Sequence, residues 1–191
     1  MKDTRTNATV IEDLAARRVW DSRGNPTVEV ELRCVGGAVG RAIAPAGASR
    51  GTREAMDLRD GGDALGGTNV LGAVKGVNNI IAPLLRGMHV TGQEAIDAAL
   101  IECDGPDLKT RLGGNAMIAT SLAVLHAAAA TQGLPLWRHV ADISGATPSL
   151  PLPEIQIFGG GAHAGRRVDV QDFMVMVPGA DSFDEMMEIT S

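Results

Sequence analysis

The alternation of apolar and polar residues over Thr27–Leu32 constrains the fold of this chain most. Val28, Val30 and Leu32 fall on one side of an extended segment, and Thr27, Glu29 and Glu31 fall on the other. That is the period-two pattern of a strand with one buried face. Asp21-Ser22-Arg23-Gly24-Asn25-Pro26, just before it, is dense in turn-forming residues, and Gly36-Gly37 behind it permits a second reversal into Val39–Ala44. Residues 13–45 therefore read as a small antiparallel meander.

After the meander the period lengthens. Val70, Val74, Val77, Ile81 and Leu84 recur at helical spacing, with Thr68 as the N-cap. Thr91-Gly92-Gln93-Glu94 has capping-box spacing and opens a helix to about Glu102, which Asp104-Gly105-Pro106 stops. Asn115–Gln132 is Ala-rich and almost free of charge, which predicts a helix buried all round and ended by Gly133 and Pro135.

The stretch SGATPSLPLP is small, polar and Pro-rich, and it marks a domain boundary. Beyond it, Glu154–Phe158 predicts a short strand, Gly159–Gly165 a loop and Val168–Val177 a strand; Ser182-Phe183-Asp184-Glu185 is a second capping box. A strand pair and one short helix bury no core of their own, so the second domain is expected to be incomplete in these residues. The organisation expected is a flexible tail over 1–12, a first domain over 13–143, and a linker with the opening of a second domain over 144–191.

Composition excludes several function classes. Apolar residues make up 45% of 191, enough for a packed core. A net charge of −6, with aromatic residues at 3% and no Tyr, is the opposite of a nucleic-acid platform. No apolar run reaches the roughly 18 residues of a membrane span. Cys34 and Cys103 form no disulfide framework and no C-x-x-C motif, which predicts reduced thiols and a cytoplasmic location.

Four segments carry candidate chemistry. Pro45-Ala46-Gly47-Ala48-Ser49-Arg50-Gly51 joins a strand to a helix with almost nothing bulky in it, so it can move, and Ser49 offers hard oxygen ligands to a metal. An ordinary connection has the same composition. Gly159–Gly165 places His163 among small residues, suited to a proton donor or phosphate partner, or to a plain surface turn. Asp172 shares a strand face with Val168, Val170, Met174 and Met176, where a carboxylate is costly unless paired or used; Gln171 lies on the opposite face near the strand end. Arg166-Arg167 beside His163 suits a phosphate or carboxylate, although a solvated pair is the commoner outcome. His89, His126 and His139 lie on or near helices and read as structural. Gly159-x-Gly161-x-x-Ala164 formally fits a dinucleotide fingerprint, but the following residues alternate as a strand instead of opening the helix that motif needs.

Five blocks in order resemble the enolase family: VWDSRGNPTVEVEL, APAGASRGTREAMDLRDG, GGTNVLGAVKGVNNIIAPLL, LGGNAMIATSLAVLHAAAATQGLPLWRHV and GGGAHAGRRVDVQDFMVMVPGA. The resemblance implies an α+β N-terminal domain, a three-stranded antiparallel meander followed by helices, joined to the start of a β/α (TIM-like) barrel. It implies a Mg²⁺-dependent lyase that interconverts 2-phosphoglycerate and phosphoenolpyruvate in glycolysis. Ser49 would ligate a magnesium ion, His163, Gln171 and Asp172 would lie on the substrate side, and Arg50 and Arg166 would be lid or phosphate contacts. Arg23, Glu29 and Glu31 resemble the subunit-contact region, which implies a homodimer.

Departures from the family pattern cluster at the presumed site. Ala46 and Arg50 replace Ser and Thr of the mobile loop, Gly159 and Ala162 replace Asn and Ser of the later loop, and Asp172 replaces a Glu. They leave open a paralogue acting on a phosphonate or phosphorylated acid, in the manner of a carboxyphosphonoenolpyruvate synthase, and a noncatalytic dimerisation module. In the family the lysine base, a further carboxylate and the acidic ligands of the first magnesium lie further along, so these residues alone are expected to be inactive.

Overall fold

The computed structural model describes residues 7–44, 46–47, 51–105 and 107–191, the side chain of His163 excepted. One compact unit runs through the N-terminal strands and residues 51–146, and a second runs through Thr147–Ser191.

The first unit begins with the expected meander. Strands β1 (Ile11–Trp20), β2 (Pro26–Cys34) and β3 (Val39–Ile43) form one antiparallel sheet with β2 in the middle. Of the tail expected over 1–12, residues 1–6 lie outside the described residues, and the later part is tied down: Ile11 is buried, Gly36 N–H donates to the Ala8 carbonyl at 3.0 Å, and Val90 N–H donates to that of Thr9 at 2.9 Å. The β1–β2 turn is closed by Asp21, whose Oδ1 accepts from the backbone N–H groups of Asn25 at 2.8 Å and Arg23 at 2.9 Å.

The period-two reading of β2 is right for one face and incomplete for the other. Val28, Val30 and Leu32 are fully buried, but Thr27 and Glu29 are buried too. Thr27 donates its hydroxyl to the Ala44 carbonyl at 2.6 Å. Glu29 is ion-paired to Arg17 of β1, with Arg41 Nε of β3 at 3.7 Å. Glu29 and Glu31 therefore belong to the central strand, not to a sheet edge. Long Arg stems folded over the sheet bury a carboxylate that alternation alone leaves in water.

Four helices complete the unit: α1 (Leu71–Leu85), α2 (Gln93–Asp104), α3 (Gly114–Thr131) and α4 (Leu136–Ser144). In α1 a wider π turn, Val77–Ile81, precedes Pro83, which has no N–H to donate. Thr68 does not cap α1; its hydroxyl donates to the Leu65 carbonyl. The cap comes from Asp60, which accepts from Leu71 N–H at 2.9 Å and Gly72 N–H at 2.7 Å. The capping box ahead of α2 does not form either, because the helix starts one residue later than the box requires and its N-cap is Gly92, which has no side chain to accept; Gln93 meanwhile turns its amide to Asp97 and Ser121. Asn78 uses both ends of its amide on the Ala16 backbone, at 2.7 and 3.1 Å, and so satisfies the outer edge of β1.

Helix α3 lies directly on the sheet. Ala116, Ala119, Ala123 and Ala127 are buried, whereas Ile118, Leu122 and His126 form an exposed stripe, so the helix is not buried all round. Their spacing of four residues keeps these three on the side away from β2 and β3. Among the described residues no single helix is long and apolar enough to cross a membrane.

The small side chains set how closely α3 approaches β3. A Cβ added to Gly40 would stand 2.0 Å from the Ala123 carbonyl oxygen and 2.4 Å from the Ala127 nitrogen, both backbone atoms that cannot step aside. Gly40→Ala is expected to destabilise the fold by about 1–3 kcal/mol through overpacking, read as a lower urea midpoint. A second expectation concerns acid. Hydrogen bonds from the Asn25 and Arg23 backbone hold the Asp21 carboxyl below its ordinary value. A depressed folded-state value means that the support given to the turn is complete above the unfolded carboxyl pKa and is lost as pH falls through the folded one. Asp21→Asn should therefore lower the urea midpoint near neutrality, and the gap from wild type should close on acidification.

Candidate functional site

The second unit carries most of the candidate residues. Its strands β4 (Ile155–Gly159) and β5 (Asp172–Val175) pair antiparallel, and helix α5 (Phe183–Thr190) follows. Ser182 caps α5 as its sequence predicts, accepting from Glu185 N–H at 3.1 Å.

The second strand is shorter than its alternation suggests: 168–171 stay outside the ladder, and Asp172 is the first paired residue, opposite Gly159. Asp172 is accordingly half-buried at the end of a hairpin, not buried on an apolar face, and Met174 and Met176 are exposed. The ladder slips between Gln156 and Phe158, so Ile157 is bulged. The Phe158 and Phe173 rings pack at a centroid distance of 5.5 Å and pin the hairpin beyond the bulge.

The segment expected to be a loop contains a 3₁₀ turn, Gly161–Ala164, with His163 on it. Gly160 N–H donates to the Gln171 carbonyl at 2.6 Å, and Gly161 N–H donates to that of Val168 at 2.8 Å. These bonds carry the hairpin past Gly159 and dock the His163 turn beside Gln171. Only glycine fits at 160, where a Cβ would stand 2.0 Å from the Val170 carbonyl oxygen. Arg166 takes a positive φ of 58°, directly after Gly165 at 63°, so the chain leaves the turn through two left-handed residues.

The Asp172 carboxylate accepts two side-chain amides. Gln156 Nε2 donates to Oδ1, and Gln171 Nε2 donates to Oδ2 at 3.0 Å. Nearby, a hollow of about 470 Å³ is lined by Phe158, Gly159, Ala164, Gly165, Arg167 and Val168. The arginine on this lining is Arg167, and both Arg166 and Arg167 are exposed.

The hairpin thus brings together the His163 turn, Gln171 and Asp172. Ser49 and Arg50 lie outside the described residues. Beyond them, residues 55–61 form no helix, and Asn115 at the start of α3 holds Leu58. The Asn115 amide accepts from Leu58 N–H at 3.1 Å and donates to the Leu58 carbonyl at 3.2 Å, while Met56 N–H donates to the Leu108 carbonyl at 2.7 Å. The other histidines are structural as expected in two cases: His89 Nδ1 lies 2.8 Å from Thr9 Oγ1, and buried His139 meets Gln132 at 3.3 Å. His126 is exposed on α3.

Residue-by-residue reading misses Gln156 and Asn115. Both act through a tertiary bond that leaves no periodic trace in sequence. Among the described residues no group of three or more His, Cys, Asp or Glu side chains is arranged to hold a metal ion.

Comparison with known proteins agrees with this architecture. Residues 11–140 match the family model described as Enolase, N-terminal domain, and residues 147–191 match that described as Enolase, C-terminal TIM barrel domain. The chain is 49% identical over 180 residues to a protein named Enolase from Natranaerobius thermophilus, covering 94% of this chain and 42% of that relative. It is 47% identical over 182 residues to a protein named Enolase from Methanothrix thermoacetophila, covering 95% of this chain and 42% of that one. The chain thus spans well under half the length of these curated relatives. With both domain descriptions matched in order along nearly its whole length, the chain belongs to the enolase family.

Proposed function

We propose that the full-length protein is an enolase-type lyase that reversibly dehydrates 2-phosphoglycerate to phosphoenolpyruvate in the cytoplasm. The observation that carries the reading is the docking of the His163 turn onto the Gln171–Asp172 end of the hairpin through the Gly160–Gln171 backbone bond. That bond keeps an imidazole-bearing turn and a carboxylate at one end of one hairpin, where a phosphorylated acid can meet both. Removing a proton α to a carboxylate builds negative charge there, so general acid–base groups have to be held in place before the reaction starts.

In this reading Asp172 and His163 handle protons at the substrate, Gln171 donates to it, and Arg166 with its neighbour Arg167 attracts the phosphate. Mg²⁺ is part of the proposal through Ser49 and through acidic ligands further along the family's barrel; when bound, it would stabilise the doubly charged carboxylate of the intermediate. A homodimer is proposed from the resemblance of the Arg23, Glu29 and Glu31 region to the family's subunit contact.

A second reading is favoured by Asp172 and Gly159, which depart from the family pattern within the site itself. Under it, the protein acts on a related phosphonate or phosphorylated acid. Steady-state assays of the full-length protein with 2-phosphoglycerate beside phosphonate analogues separate the two. Turnover of 2-phosphoglycerate is expected, and Asp172→Asn should lower kcat by about 10²–10⁴-fold. The 191-residue chain alone should show no turnover. Preference of the full-length protein for a phosphonate would replace the leading reading with the second, and no turnover of any of these acids would favour a noncatalytic module.

A further inference from the structure

We propose that Gln156 is a positioning residue for Asp172, and that its amide reaches the acid across Gly159. For its catalytic consequence the proposal rests on the lyase reading above; its geometry stands apart from it.

The argument begins with the slipped register. Gln156 pairs with Met174, but Gly159 pairs with Asp172, so β4 spends one more residue than β5 over this interval. Without the bulge Asp172 would stand opposite Phe158. With it, Asp172 stands opposite a residue that has no side chain. The Gln156 amide lies over that residue: a Cβ built on Gly159 would lie 3.3 Å from Gln156 Nε2. From there the amide donates to Asp172 Oδ1, while Gln171 holds Oδ2 at 3.0 Å. Both carboxylate oxygens are held, and the acid is fixed in rotation about its own bonds.

Bulge, glycine and amide therefore form one device. Asp carries one methylene fewer than the Glu of the family pattern, and a shorter acid has less reach. An amide that crosses Gly159 to meet it fixes where that shorter acid points. The lengths are complementary: Gln156→Asn withdraws the donor by one methylene, and Asp172→Glu advances the acceptor by one.

The test uses the full-length protein and 2-phosphoglycerate. Gln156→Leu keeps the bulk and removes the donor. It should lower kcat by about 10–10²-fold with KM within about twofold, the scale of a small misplacement of a reacting group. Gln156→Asn and Asp172→Glu should each lose rate singly, and their combination should recover rate above either single variant. Unchanged kcat in Gln156→Leu would overturn the proposal, and so would a double variant whose loss equals the product of the two single losses. Should Gln156→Leu fail to fold, the length-exchange set decides alone. Should wild type be inert toward 2-phosphoglycerate, the lyase reading falls, and the clamp is judged by ¹⁵N spectra of the side-chain amides. Asp172→Ala should then shift the Gln156 and Gln171 signals together, and an unmoved Gln156 signal would overturn the clamp.

Discussion

The close approach of α3 to β3 governs the first unit. Ala123 and Ala127 present so little side chain that helix backbone reaches sheet backbone at Gly40, where no Cβ fits. A helix this near the sheet buries Val28, Val30 and Leu32 beneath it and leaves Ile118 and Leu122 on its far side. It also fixes the start of the helix, and with it Asn115, whose amide stitches the backbone at Leu58. The segment leading away from the serine-bearing loop is thus anchored by the element that closes the core.

The hairpin of the second unit follows the same logic on a smaller scale. Backbone meets backbone at Gly160, which has Val170 and Val168 carbonyls where a side chain would go. Close backbone approach is the one arrangement in which glycine is needed for space and not only for its dihedral freedom. At Gly40 the contact sets a core; at Gly160 it sets the spacing between a histidine-bearing turn and a carboxylate.

Much of this was legible in sequence because it is local. The Asp21–Pro26 turn, the alternation of β2, the Ser182 cap and the helical spacing of Val70–Leu84 depend on neighbours a few residues away. What escaped depends on distant partners. Thr68 has the chemistry of an N-cap, but Asp60, eleven residues before Leu71, takes the role because the segment before α1 folds back to carry it there. Glu29 reads as solvent-facing until Arg17 and Arg41 arrive from the two flanking strands. Asp172 reads as buried by alternation, yet the strand starts only at that residue, since 168–171 are occupied in holding the glycine turn. In the site, sequence picked out His163, Gln171 and Asp172, but not Gln156, because a bulge changes which residues face each other without changing their types.

Two of the carboxylates held in this chain, Glu29 and Asp172, differ in the type of their partners. Glu29 lies between two guanidinium groups on the central strand, so its charge is compensated on the spot and its role is to secure the sheet. Asp172 is held by two neutral amides. An amide hydrogen bond orients a carboxylate and stabilises it, but cancels none of its net charge. A group meant only to brace a fold gains from full neutralisation, because an uncompensated charge is costly wherever water is thin. Asp21 and Asp60 are also held by neutral N–H donors and serve only to close a turn and cap a helix, so what sets Asp172 apart is its half-buried place at the end of the hairpin that the His163 turn docks onto.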